Sequence, residues 1–110
     1  MRKRSEPVEA GTVNVFVDLG FADAGERKLR VQLAMRLNAL IAEHRLTQAR
    51  VAPLFGIPQP HVSELKNYKL SRFSSERLLR FLTLLDHDVE IIIRPKAKGH
   101  RAGLVFVSVA

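Results

Sequence analysis

Apolar residues recur at helical spacing through the middle of this chain and at strand spacing towards its two ends. Leu29, Leu33, Leu37, Leu40 and Ile41 form one stripe, and Asp23 with Glu26 three positions on reads as a capping box, so a long helix is predicted from Asp23 to about His44. Its charges Glu26, Arg27, Lys28, Arg30, Arg36 and Glu43 mostly lie off that stripe. Thr47 is a good N-cap for a second, short helix carrying Val51, Ala52, Leu54 and Phe55, which Gly56 ends. Pro58 and Pro60 bracket the start of a third, with Val62 and Leu65 on its inner side. Ser74 caps a fourth, where Phe73 and Leu78 make a hydrophobic staple and Leu78, Phe81, Leu82 and Leu85 face inward.

The ends read differently. Val13, Val15 and Val17 alternate within residues 12–21, which suggests a short strand or an extended apolar arm. Val89 to Arg94, VEIIIR, is β-branched and stopped by Pro95. A flexible basic loop, Lys96 to Arg101, follows, and Leu104 to Val109 then offers itself as the second strand of a terminal hairpin. Residues 1–11 are polar and include Arg2, Lys3 and Arg4, either a frayed terminus or a basic arm reaching a polyanion.

The stretch from Thr47 to Tyr68 organises the rest. Small Ala52 at the crossing and Gly56 in the turn let two short helices approach at a steep angle, the geometry of a helix-turn-helix. If the second of them starts at Gln59 or Pro60, then Gln59, His61, Ser63, Glu64 and Lys66 surround its exposed face and first turn. In DNA recognition such a helix lies in the major groove with its N-terminal residues at base edges. Gln pairs with adenine, Ser serves several edges, and Lys reaches guanine or phosphate. Free amides at the starts of both helices suit phosphate oxygens, as does the Gln48 side chain.

The spacing resembles the phage-repressor, or Xre/Cro-like, helix-turn-helix family. Gln48, Ala52, Gly56, Ile57, Val62 and Leu65 fill that family's motif positions. The resemblance implies Gln48 and Asn67 on phosphate and Gln59, Pro60, His61 and Glu64 toward bases. A carboxylate such as Glu64 fits beside DNA where it accepts from a cytosine amino group or points away. It further implies that Lys69 and Arg72, in the loop after the recognition helix, meet the DNA backbone. Pro53 departs from the pattern. Inside a regular helix a proline removes one bond, here to Ala49, and costs about 3 kcal/mol, so a distorted or shortened first motif helix is expected.

From Asn14 to Pro95 the chain also resembles a narrower group, the compact antitoxins of the HigA type. The features that carry this are the long first helix, the motif, KLSRFSSERLLRFL and the following DVEIIIRP. The resemblance implies a homodimer that represses its own operon and a RelE-like, mRNA-cleaving toxin as partner. A stand-alone phage-type regulator and an interaction module whose main task is to neutralise a toxin remain the alternatives.

Charge agrees with a polyanion partner. Lys and Arg number 18 against 11 Asp and Glu, a net charge of +7. Cysteine is absent, which excludes disulfides and thiolate metal sites and suits a reducing cytoplasm. The histidines His44, His61, His87 and His100 have no metal-ligand spacing, and no glycine-rich phosphate loop is present. Asp86 and Asp88 read as a helix end rather than an acid/base pair, so neither an enzyme nor a cofactor is expected. No apolar run approaches a membrane span, and general RNA binding lacks a stacking platform, with aromatics at 6%. The predicted fold is mainly α, a phage-repressor-like helix-turn-helix bundle of four to five helices with a short C-terminal β extension. Its expected parts are an arm at 1–22, the DNA-binding domain at 23–88, and a strand or hairpin for dimerisation at 89–110.

Overall fold

The predicted helices form, and they share one way of stopping. The computed structural model describes residues 14–18, 22–99, 101 and 103–110. Among these the order is β1 (Asn14–Asp18), α1 (Ala22–Glu43), α2 (Gln48–Phe55), α3 (Gln59–Lys66), α4 (Ser75–Leu84) and β2 (Leu104–Ser108). The molecule is thus mainly helical, with a minimal sheet. Helix α1 begins at Ala22, so Asp23 lies inside its first turn instead of capping it.

Each helix closes on a left-handed residue that lets the chain fold back onto the last turn. Arg45, Gly56, Tyr68 and Asp86 take φ values of 54°, 70°, 59° and 61°. In each case the amide after that residue reaches a carbonyl five positions back: Leu46 to Ile41, Ile57 to Ala52, Lys69 to Glu64 and His87 to Leu82, all at 2.8–3.1 Å. This is the Schellman closure, which satisfies carbonyls that a helix end otherwise leaves bare. Glycine marks it only at Gly56; the remaining three use side-chain-bearing residues at a strain of about 1–2 kcal/mol each.

These closures fold the middle of the chain around one core. Leu33, Ala34, Leu37 and Leu40 of α1 are buried with Val51 and Phe55 of α2, Val62 and Leu65 of α3, and Leu78, Phe81 and Leu82 of α4. Leu70 and Phe73 from the loop before α4, and Leu85 after it, complete the set. Phe55 stacks on Phe81 with ring centres 4.3 Å apart, and Phe73 meets Phe81 edge-on at 6.1 Å. Leu54, at helical spacing with this set, turns outward and is 42% exposed.

The β expectations change. Val89 to Arg94 forms no strand: residues 87–97 have no regular structure, and Ile91 and Ile93 are 75% and 91% exposed. Their β propensity measures fit to a half-buried, paired surface, and among the described residues no neighbouring strand supplies one. Leu104–Ser108 accordingly makes no hairpin with it. It pairs antiparallel with β1 in the register Val15 with Val107, Phe16 with Phe106 and Val17 with Val105. The chain divides into a helical unit, Arg30–Val89, and a unit drawn from both chain ends that holds this ribbon.

Candidate nucleic-acid interface

The site is built from the start of α2 to the loop before α4. Thr47 caps α2, its Oγ1 accepting from the Arg50 amide at 3.2 Å, and this places Gln48 as the first helical residue. The Arg50 and Val51 amides both donate to the Thr47 carbonyl, which leaves the Gln48 and Ala49 amides at the open end of the helix. Pro53 does not break α2, which continues through it to Phe55. The missing bond falls within one turn of the helix end, and Gly56 closes that end by bonds from Gly56 to Pro53 and from Ile57 to Ala52.

Helix α3 starts after Pro58, as its two prolines suggest, but offers little backbone to a phosphate. Pro60 has no N–H, and the His61 and Val62 amides already donate to the Pro58 carbonyl at 2.9 and 3.3 Å. Anion binding by free amides therefore applies to the start of α2 and hardly to α3.

Val62 and Leu65 bury the inner side of α3. Helical spacing then puts Pro60, Ser63, Glu64 and Asn67 in one outward stripe, with Gln59 and Lys66 along one flank and His61 along the other. Gln59, Pro60, Lys66, Asn67, Lys69 and Arg72 are exposed, while Gln48, His61, Ser63 and Glu64 are half-buried. Two of the stripe's polar groups are already engaged. Asn67 Nδ2 donates to the Ser63 carbonyl at 2.9 Å, closing the helix rather than projecting from it. Glu64 and Arg72 form a two-point ion pair, Nε to Oε1 at 2.5 Å and Nη2 to Oε2 at 3.2 Å. That hydrogen-bonded guanidinium holds the Glu64 carboxyl below its ordinary 4.5 and raises Arg72 in turn; His61 and Lys69 add smaller attractions. The Gln59, His61 and Ser63 side chains lie at the N-terminal half of the helix, clear of both of these engaged pairs.

Three side chains that sequence reasoning passed over hold this surface in place. Asn38 on α1 donates to the Leu65 carbonyl at 3.2 Å, and Arg30 on α1 donates to the Leu70 carbonyl at 2.9 Å. Arg77 on α4 lies over the rings of Phe73 and Phe81, at 5.2 and 5.6 Å, and donates to the Arg72 carbonyl at 2.9 Å. Each pins a backbone group at the end of α3 or in its following loop. The available signal was a lone asparagine beside the Leu37 and Leu40 stripe, and an arginine spaced to sit over two aromatics.

An open groove of about 330 Å³ runs between α1, the start of α2 and α3, with Ile41, Leu46, Val51 and Val62 in its wall and Gln48 and Lys66 at its rim. Among the described residues no cluster of His, Cys, Asp or Glu can hold a metal ion, and no helix is long and apolar enough to cross a membrane.

A bundle that presents the second of two short, glycine-joined helices in this way is a helix-turn-helix protein, and residues 15–94 match the model of a helix-turn-helix domain family. The particular family follows from a solved structure bearing the name "Putative XRE Family Transcriptional Regulator". It is 52% identical to this chain, covers 74% of it and 91% of its own length, and superposes with a TM-score of 0.71. No curated protein matches the chain. The chain belongs to the XRE-type helix-turn-helix family of DNA-binding transcriptional regulators.

Proposed function

We propose that this chain is a sequence-specific repressor that binds an inverted-repeat operator as a homodimer, and that it serves as the antitoxin of an operon it represses. The observation that carries the DNA reading is the outer face of α3. Gln59, His61 and Ser63 stand at the helix end that enters a major groove, with Gln48, Lys66, Asn67, Lys69 and Arg72 around them. Gln59 and His61 read bases; Gln48, Lys69 and the α2 amides fix the register on the backbone. A duplex selected from a randomised library supplies the cognate site. Truncating Gln59 or His61 to alanine costs about 1–3 kcal/mol on that duplex and leaves mixed-sequence DNA unchanged. An equal loss on both duplexes makes these residues backbone contacts instead.

Dimerisation is supported by Ile91, Ile92 and Ile93, at 75%, 48% and 91% exposure. A single helix-turn-helix reads few base pairs, and two-fold partners place their recognition helices about 34 Å apart. The VEIIIR segment pairs as a strand with its copy in a second subunit and gains there a neighbouring strand that the described residues of one chain do not supply. A chain truncated after Asp88 is then a monomer by sedimentation and keeps only sequence-independent affinity. A truncated chain that stays dimeric with full operator affinity moves the interface elsewhere.

The antitoxin part rests on the resemblance of residues 14–95 to HigA-type proteins. The partner is a small RelE-like toxin encoded beside this gene. Co-expression from the native operon yields a co-purifying complex and restores growth if the reading holds; recovery of the regulator alone, with the neighbour's product harmless, leaves a stand-alone regulator.

A further inference from the structure

The outward centre of the recognition helix carries a negative charge, an unexpected feature on a chain of net charge +7. We propose that Glu64 is an internal counter-ion filling an anion site at the Arg72 guanidinium, and that it restrains binding to arbitrary duplex DNA. The inference rests on the DNA-binding reading.

The guanidinium fork fits a carboxylate and a phosphate equally well, with two parallel N–H donors to two oxygens. In this chain the fork is filled. Arg72 gives Nε and Nη2 to the two Glu64 oxygens, and both side chains stay solvent-accessible, at 44% and 33%. The loop beneath is fixed at two carbonyls: Arg72 O accepts from Arg77, and Leu70 O accepts from Arg30. Arg72 is therefore held where it stands, beside α3. A duplex phosphate takes that Nε/Nη2 edge only by displacing the Glu64 carboxylate, which then lies unpaired among phosphates.

Exposed ion pairs contribute little to folding, so the pair's consequence falls on binding. Affinity for DNA of any sequence is set by the number of phosphates that cations neutralise, each adding about 0.9 to the slope of log K against log salt. With Glu64 in place the Arg72 contribution is withheld from mixed sequence. Binding at a cognate site, driven by Gln59 and His61, retains its direct contacts. The carboxylate thus widens the ratio of specific to non-specific affinity by lowering the second.

Glu64→Gln tests this, since it keeps the side chain's size and removes its charge. Affinity for a short mixed-sequence duplex is measured across a salt series for wild type, E64Q, R72A and the double variant, with melting by circular dichroism as the check on folding. E64Q is expected to bind mixed-sequence DNA about threefold to tenfold tighter at low salt, with a slope steeper by about one. That gain should vanish in the R72A background. An equal gain with Arg72 absent would reduce Glu64 to a general surface charge and overturn the pairing. Unchanged mixed-sequence binding, with weaker binding to a selected site, would make Glu64 a reader of bases and overturn the inference outright. A wild-type chain that binds no duplex at any salt overturns the DNA-binding reading, and the inference with it.

Discussion

Leu37 and Ile93 are both large aliphatic residues in apolar stretches, yet one is wholly buried and the other is 91% exposed. Leu37 belongs to a run whose apolar positions repeat every three or four residues, so a helix gathers them onto one side and α2, α3 and α4 supply the cover. Ile93 sits in three consecutive isoleucines, which no single helix or strand can point the same way. A strand would send alternate residues to opposite faces, and among the described residues no strand pairs with this segment. Apolar content alone therefore determines neither burial nor secondary structure; its period determines which face exists, and a neighbour determines whether that face is filled.

The comparison breaks most readily at Phe73. Its ring is fully buried against Phe81 and under Arg77, so Phe73→Ala should destabilise the helical unit by about 3–5 kcal/mol in urea unfolding. A loss below about 1 kcal/mol would mean that the core closes over the gap. A smaller effect of opposite sign is expected at Tyr68. It is held at φ 59° in the closure of α3, so Tyr68→Gly should stabilise the fold by about 0.5–1 kcal/mol. Destabilisation there would show that the half-exposed ring packs usefully. Ile93→Ser marks the other side of the comparison: at concentrations where the chain is monomeric, its unfolding free energy should stay within about 0.5 kcal/mol of wild type. A loss as large as that of Phe73→Ala would mean that the isoleucine is covered within the chain.

The finest effect is electrostatic. Glu64 has a folded-state pKa below its ordinary 4.5, so its contribution is complete above that pH and fades as pH falls through the lowered value. In Arg72→Ala, the carboxyl should titrate nearer 4.5 when followed by NMR. An unchanged titration would assign the lowering to His61 and Lys69 in place of the hydrogen-bonded guanidinium.

The sequence by itself determined the helices and the motif, because period, caps and turn residues are local properties. Thr47, Gly56, Pro58, Ser74 and the Leu33, Leu37 and Leu40 stripe each act within a turn or two of themselves, and the structure places them as their spacing requires. Three of the four helix closures escaped notice because Arg45, Tyr68 and Asp86 carry no glycine to announce the left-handed turn. Only the tertiary structure decided which strand pairs with Leu104–Ser108, since a ladder depends on a partner about ninety residues away, not on propensity. It also decided that Arg30, Asn38 and Arg77 brace the recognition helix, and that Arg72 and Glu64 face each other. Those groups are eight to forty residues apart along the chain for the through-space pairs Arg72–Glu64, Asn38–Leu65 and Arg30–Leu70. Hydrogen bonds act over about 3 Å, so only the packed fold brings such groups within reach.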